Sequence, residues 1–257
     1  MILMMNRIKK IKEIRNKLSN DKSSIGSWMQ IPSPSIAEIL GNAGYDWIAI
    51  DMEHGSISVS DLPNIFRSIE LGNTLPLVRI AQSSLKDAKI ALDAGAGGII
   101  IPMIQSSEQL RKIIDFSCWP PNGTRGVGFS RANLFGKNFD PFDIIFNKPL
   151  IIAQIENLQA VNDIDKILKV PGLDAIIIGP YDLSASIGVT GDFENSKFKE
   201  ALKKILTSCK KNNIPSGIHV VMPDKDELKD KIKEGYQFLA FSIDGLMFSQ
   251  ISLKPKI

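Results

Sequence analysis

The sequence predicts an α/β protein with the (β/α)8 (TIM) barrel fold, in which eight parallel strands alternate with helices. Eight short apolar runs alternate with segments of helical periodicity, and eight is the number of strands that closes such a barrel. No change in composition and no internal repeat divides the chain, so residues 1–257 are expected to form one domain. A long insert is predicted before the fifth strand.

The predicted strands are short apolar runs, several of them rich in β-branched residues, that end at turn residues. The second run stops abruptly at Asp51-Met52-Glu53-His54, which places polar side chains where the strand leaves the sheet. The predicted strands cover residues 24–29, 46–50, 75–80, 98–102, 150–156, 174–179, 216–221 and 237–243.

Helical periodicity separates these strands, and Ser35-Ile36-Ala37-Glu38 resembles a capping box at the start of one helix. The segment 179–182 is predicted as a tight turn, and the last helix is expected to be short. The insert, residues 118–148, is too long for an ordinary connection and is expected to be functional or interfacial. The predicted helices cover residues 6–20, 35–41, 61–71, 85–94, 107–116, 160–168, 198–211 and 224–234.

Composition excludes several classes of protein. With 44% apolar and 23% charged residues, the chain can bury a core and is not disordered. A net charge of +3 is too small to indicate nucleic-acid binding. No apolar run is long enough for a membrane span, and the amino terminus lacks a signal-peptide pattern. Two cysteines without metal-ligand spacing suggest a reducing compartment, so a cytoplasmic protein is expected.

Polar residues follow the predicted strands at the carboxyl-terminal face of the barrel, where the chemistry of this fold gathers. Asp51 lies three residues before His54 and can orient its imidazole as a base. Arg79 offers a planar fork to a carboxylate or an enolate, although a structural ion pair is equally compatible. His219, within the seventh strand, is interpreted as a core histidine. No predicted strand contains a lysine, which argues against imine chemistry.

Two carboxylates at neighbouring strand ends indicate a metal site. Gln154 and Glu156 are two residues apart and therefore face the same side of the fifth strand. Asp182 follows the sixth strand, with no cysteine or histidine beside it, and such oxygen ligands suit Mg²⁺ or Mn²⁺. The alternative is a salt bridge between Glu156 and Arg79 without a metal.

Several motifs, in order, resemble the HpcH/HpaI class II aldolases, metal-dependent pyruvate aldolases that act on 2-keto-3-deoxy acids. The resemblance covers residues from about 26 to 249. Its motifs are Gly-Tyr-Asp-Trp-(x)3-Asp-x-Glu-His at 44–54, Val-Arg at 78–79, Leu-Asp-Ala-Gly-Ala at 92–96, Ile-Pro-Met at 101–103, Pro-Pro-(x)3-Arg-Gly-Val-Gly at 120–128, Gln-x-Glu at 154–156 and Gly-Pro-x-Asp-Leu-Ser-x-Ser-x-Gly at 179–188.

The resemblance implies a role for each candidate residue. Glu156 and Asp182 would bind a divalent metal (Mg²⁺, Mn²⁺ or Co²⁺), with no organic cofactor. His54, polarised by Asp51, would accept a proton. The remaining implied roles are stabilisation of the enolate by Arg79, substrate contact by Gln154, carboxylate binding by the Tyr181–Asp182 backbone and lining of the mouth by Trp28.

The resemblance also implies a homo-oligomer, a hexamer in this family, in which Asp93 reaches a neighbouring subunit's site. Asp93 ends a predicted helix, where a carboxylate meets the unfavourable pole of the helix dipole, so it has no local reason to be there. The chain departs from the family around Phe129–Phe135 in the insert and in its short final segment.

The implied reaction is reversible cleavage of a 4-hydroxy-2-oxo acid to pyruvate and an aldehyde through a metal-held enolate. Its partners are therefore a small 2-oxo acid and an aldehyde, rather than nucleic acid or membrane. Two alternatives remain: an acyl-CoA lyase of the same superfamily, and a non-catalytic barrel that binds sugar acids.

Overall fold

The computed structural model describes residues 2–137 and 148–254, in which eight parallel strands form a closed barrel. Each strand pairs with the next, and the last pairs with the first. The strands are β1 (Ser24–Met29), β2 (Trp47–Asp51), β3 (Leu75–Arg79), β4 (Gly98–Ile101), β5 (Leu150–Ile155), β6 (Ala175–Ile178), β7 (Gly217–Val220) and β8 (Phe238–Ile243). The predicted (β/α)8 fold is confirmed, and the observed strand ends lie within one residue of the predicted ones.

Helices surround the barrel and connect consecutive strands. In the described part of the chain, none is both long and apolar enough to cross a membrane. They are α1 (Ile2–Ser19), α2 (Pro34–Gly41), α3 (Leu62–Leu71), α4 (Leu85–Asp93), α5 (Ser107–Ser117), α6 (Leu158–Asn162), α7 (Ile164–Ile167), α8 (Pro180–Ser186), α9 (Ser196–Asn212), α10 (Lys225–Glu234) and α11 (Asp244–Ile251).

Three local predictions were wrong. Ser33, not Ser35, caps α2, because its hydroxyl accepts the Ile36 N–H at 3.4 Å and Pro34 occupies the first helical turn, where a missing N–H costs nothing. The helix predicted at 160–168 is two short helices that meet at Asp163. The segment predicted as a turn after β6 is helix α8.

The insert packs on the barrel's outer helices through ion pairs. Its described part contains a short 3₁₀ helix, Arg131–Asn133, and residues 138–147 lie outside the described residues. Arg131 and Arg7 both bind the carboxylate of Glu70, and Arg7 Nη2 lies 2.8 Å from Glu70 Oε1. All three side chains are buried. This triad ties the insert to α3 and α1. Phe129 and Phe135 remain exposed in the isolated chain.

Side chains alternate along each strand between the barrel interior and the surrounding helices. On β2, Trp47 and Ala49 point inward, so Asp51 at the end of the strand does too. Trp47 stacks on Phe238 at 4.3 Å near the amino-terminal ends of the strands. A Cβ at Gly26 would lie 2.1 Å from the Trp47 ring, so the glycine makes room for the indole.

Helix α1 lies across the amino-terminal end of the barrel. Its buried residues Ile11, Ile14 and Leu18 belong to the same apolar cluster as Trp47 and the other inward residues. The Arg15 guanidinium binds Asp174 at 2.7 Å. The helix therefore closes the lower end of the barrel and leaves the polar strand ends at the other face.

Candidate active site

A cleft of about 300 Å³ opens at the carboxyl-terminal ends of the strands. Most of the predicted site residues line it, and Asp51 and Glu156 are buried directly beside lining residues. Asp93 does not line this cleft. The predicted residues that line it are Trp28, His54, Arg79, Gln154, Tyr181 and Asp182.

Asp51 and Arg79 form a buried, two-pronged ion pair because β2 and β3 place them side by side in register. Arg79 Nε donates to Asp51 Oδ1 at 2.9 Å and Nη2 donates to Oδ2 at 2.6 Å. Burial alone would raise the pKa of Asp51, but the hydrogen bonds and charge of Arg79 lower it. Asp51 is thus a fixed anion that orients Arg79.

The structure does not support the predicted contact between Asp51 and the imidazole of His54. Asp51 Oδ1 accepts the backbone N–H of His54 at 3.2 Å and that of Glu53 at 3.0 Å. Within the described residues, no hydrogen bond of Asp51 reaches the His54 ring, which is exposed at the edge of the cleft. Asp51 therefore shapes the turn that carries His54 rather than holding its ring.

Glu53, absent from the sequence-based prediction, is a second carboxylate on Arg79. Its Oε2 lies 3.1 Å from Arg79 Nη1, and its side chain is mostly buried. Burial raises the pKa of Glu53 to about 7, with the Arg79 charge opposing the rise and Glu156 adding to it. Two carboxylates therefore fix the guanidinium from two sides. Arg79 has five N–H groups, and Asp51 accepts hydrogen bonds from two of them, so N–H groups remain for a ligand.

Glu156 is a buried carboxylate at the end of β5. Its Oε1 accepts the backbone N–H of Met103 at 2.6 Å, and Gln154 donates its amide to Oε2. Burial raises the pKa of Glu156, and the negative charge of Asp182 raises it further. No ion pair joins Glu156 to Arg79 among the described residues, so the salt-bridge alternative is not what the structure shows.

The chemistry of these donors fits a divalent cation. Glu156 and Asp182 are hard oxygen donors whose mutual repulsion a cation would relieve. Gly179 lies beside Glu156, and a Cβ there would lie 2.6 Å from Glu156 Oε2, so the glycine keeps this space open. The described residues hold no group of three or more acidic, histidine or cysteine ligands. Two carboxylates completed by water and substrate are the usual arrangement for Mg²⁺.

An aromatic side of the cleft was only partly predicted. Trp28 is buried under Arg79, whose guanidinium carbon lies 5.4 Å from the indole centroid. His219 stacks on Trp28 at 4.8 Å and its Nε2 lies 3.2 Å from the Ser242 carbonyl oxygen, as expected of a core histidine, but the residue also lines the cleft. Gln30 also lines the cleft and donates to Asp51 at 2.7 Å. Strand alternation from Trp28 would have placed Gln30 on the same inward face.

Asp93 has a local partner, so the premise that it lacks one is wrong. Arg125 Nη2 contacts Asp93 Oδ1 at 2.5 Å, and the guanidinium also stacks on Trp119 with a centroid distance of 4.6 Å. The carboxylate is about one third exposed. In the isolated chain, Asp93 therefore joins α4 to the insert.

The fold and the site together define a class of enzyme. A (β/α)8 barrel with an oriented arginine, a histidine and paired carboxylates at its carboxyl-terminal face is suited to carbon–carbon bond cleavage through an enolate. The family model described as HpcH/HpaI aldolase/citrate lyase matches residues 24–250, and the chain belongs to this family. The resemblance seen in the motifs is thereby confirmed.

Individual relatives agree with this assignment. The chain is 31% identical over 237 residues to the hydroxypyruvate/pyruvate aldolase of Roseobacter denitrificans, covering 91% of each chain. It is 32% identical to the 2-dehydro-3,6-dideoxy-6-sulfogluconate aldolase of Pseudomonas putida, covering 90% of each. The crystal structure of a family protein from Burkholderia cenocepacia J2315 superposes with a TM-score of 0.87 at 29% identity, covering 93% of this chain and 96% of that one. The chain is therefore a carbon–carbon lyase of the aldolase type, as predicted.

Proposed function

We propose that this enzyme reversibly cleaves a 4-hydroxy-2-oxo acid of the 2-keto-3-deoxy type to pyruvate and an aldehyde, with a divalent metal ion as cofactor. The observation that carries the proposal is the buried carboxylate of Glu156 beside the exposed carboxylate of Asp182, which lines the same cleft as Arg79 and raises the pKa of Glu156. The names of aldolases among the relatives support the reaction class.

The residues of the chain divide the chemistry among themselves. His54, exposed at the edge of the cleft, accepts the proton of the C4 hydroxyl directly or through a water molecule. Breaking the C3–C4 bond then leaves an enolate, whose oxygen accepts hydrogen bonds from N–H groups of Arg79 that Asp51 does not use. Return of a proton to C3 gives pyruvate.

Glu156 and Asp182 would hold the metal ion, Mg²⁺ or Mn²⁺ by the preference of such ligands, with Co²⁺ as a further possibility. A divalent ion there would supply Lewis acidity toward the oxygens of the 2-oxo acid. Gln154 fixes one oxygen of Glu156 and contacts substrate, the buried Trp28 lines the inner wall of the cleft beneath Arg79, and the Tyr181–Asp182 backbone receives the pyruvate carboxylate.

Removing divalent metal is expected to abolish release of pyruvate from 4-hydroxy-2-oxo acids. The measurement is pyruvate formation from a panel of 2-keto-3-deoxy sugar acids, coupled to lactate dehydrogenase, before and after EDTA and after re-addition of Mg²⁺ or Mn²⁺. Activity untouched by EDTA would contradict the proposed cofactor. Metal-dependent cleavage of acyl-CoA substrates alone, or binding of sugar acids without turnover, would instead favour one of the two alternatives.

We also propose that the active enzyme is a homo-oligomer in the cytoplasm, a hexamer by family resemblance, in which Asp93 contributes to a neighbouring site. The exposed Phe129 and Phe135 of the insert support a contact surface between subunits, because exposed apolar patches commonly mark interfaces. Asp93 would then bridge Arg125 of its own chain and the neighbouring site through its exposed side.

Asp93→Asn is expected to lower turnover while leaving thermal stability close to wild type, because the amide still accepts the Arg125 hydrogen bond but carries no charge. Turnover is measured alongside light scattering at the assay concentration. The matched control is Asp226→Asn, which removes an exposed carboxylate from the first turn of α10. A fully active wild-type monomer would rule out the role of Asp93 across subunits.

A further inference from the structure

The proposed metal ligands and the aromatic residues occupy opposite sides of the cleft. Glu156 and Asp182 follow β5 and β6, whereas Trp28 and His219 lie on β1 and β7, the two neighbours of β8 in the barrel. On the proposed function, the pyruvate half of the substrate lies toward β5 and β6. The aldehyde half therefore extends toward β7, β8 and β1.

His219 presents a hydrogen-bond acceptor on this side. Its Nε2 lies 3.2 Å from the carbonyl oxygen of Ser242. Since a carbonyl only accepts, Nε2 carries the ring proton, and Nδ1 keeps a lone pair. Burial lowers the pKa of His219 to about 4, so the ring is neutral at neutral pH. Nδ1 has no hydrogen-bond partner among the described residues.

Gln30 presents a second acceptor. Its amide nitrogen donates to Asp51 Oδ2 at 2.7 Å, and an ionised carboxylate only accepts, so the amide orientation is determined. The amide oxygen, Oε1, is left without a partner in the described part of the chain. Gln30 Oε1 and His219 Nδ1 both lack a hydrogen-bond partner in the described part of the chain, but neither atom is fully buried. Both are therefore accessible to solvent.

The cleft offers little to an anionic group on the aldehyde side. Among the described residues, Arg79 is the one lysine or arginine that lines it, and its guanidinium is committed to Asp51, Glu53 and the enolate. The Trp28 face and the neighbouring Ile243 supply apolar contact. Two lone acceptors without a free cation repel a second anion and favour a hydroxyl donor.

We propose that Gln30 and His219 form a subsite that selects uncharged aldehydes bearing a hydroxyl group, accepting that hydroxyl's hydrogen bond. The inference rests on the proposed function and narrows its substrates. The preferred 4-hydroxy-2-oxo acids carry a further hydroxyl beyond C4 and no second anionic group. Aldehydes that end in a carboxylate, a phosphate or a sulfonate are poor partners.

The test compares kcat/KM for pyruvate addition to lactaldehyde and to propanal, which differ only in the 2-hydroxyl. The lactaldehyde-to-propanal ratio is expected to fall about two- to tenfold in His219→Leu, the worth of one neutral hydrogen bond. Gln30→Met, in a different strand, should lower the same ratio and covers the case in which the first variant does not fold. The control, Gln159→Leu on the exposed face of α6, should keep the wild-type ratio.

A parallel wild-type comparison sets succinic semialdehyde against butanal, which has the same chain length and no charge. Butanal is expected to be the better substrate, and a preference for the carboxylate would overturn the inference. Ratios unchanged in both folded variants would overturn it as well. Exchange of the pyruvate methyl protons in D₂O needs no aldehyde and tests the proposed function separately. If the protons exchange but the aldehyde ratios are unchanged in the variants, the subsite is ruled out and the proposed function stands. If the protons do not exchange, the proposed function and the subsite are both ruled out.

Discussion

Glu156→Gln is expected to lower retro-aldol activity by more than about 100-fold, the upper range for losing even an outer partner of a metal ligand. The substitution keeps the size and hydrogen-bonding capacity of the side chain but removes the negative charge. Wild-type protein should be stabilised by about 2.7 kcal/mol when the ion is present at 100 times its dissociation constant. The variant should show no such gain, which thermal unfolding with and without Mn²⁺ measures.

The metal-free proteins should respond differently to pH. Burial raises the pKa of Glu156, so the native state holds this proton to a higher pH than the unfolded chain, whose glutamate titrates near about 4.3. Wild-type stability should therefore fall as pH rises above that value, and Glu156→Gln should reduce the fall. The control is Glu108→Gln, an exposed carboxylate on α5. Full metal-dependent stabilisation of the Glu156 variant would show that this carboxylate is not a ligand.

The second large effect is expected for His54→Ala, which should lower kcat by roughly 10²–10⁴-fold, the range for loss of general-base catalysis. Pyruvate affinity should stay near wild type, because the ring is exposed and makes no hydrogen bond to Glu156 or Asp182 within the described part of the chain. Both quantities come from steady-state kinetics and from pyruvate titration of the metal-loaded enzyme.

Added imidazole should restore part of the lost activity, since the exposed position leaves an open path to the cleft. A large loss of pyruvate affinity in His54→Ala, with turnover near wild type, would contradict the role as a base. It would assign His54 to substrate binding instead. His219→Leu serves as a second comparison, because it removes the other histidine from the same cleft and should not respond to imidazole.

The barrel was predictable because its signals are local. Continuous apolar runs such as Ile99–Ile101 and Ala175–Ile178 define buried parallel strands, and turn residues bound them on both sides. The paired strand residues Gln154 and Glu156 followed from the two-residue period in the same way. These features depend on a few neighbouring residues, which a single sequence contains in full.

The remaining parts of the site depend on partners far away in the chain. Strand alternation could place Gln30 on the inward face, but the contacts of Gln30 with Asp51, of Glu53 with Arg79 and of His219 with Trp28 join residues that are distant in the sequence. The same is true of Asp93, whose contact with Arg125 spans α4 and the insert. Sequence spacing placed Asp51 near His54 correctly, but it could not show that the backbone rather than the ring would receive the hydrogen bond.

The position of α1 has a kinetic consequence. Because this helix covers the amino-terminal end of the barrel, reactants and products must pass through the opening at the carboxyl-terminal face. On the proposed function, pyruvate lies on the side of β5 and β6 and the aldehyde on the side of β7, β8 and β1, and both face this one opening. Because both products of cleavage leave through one opening, each can obstruct the release of the other.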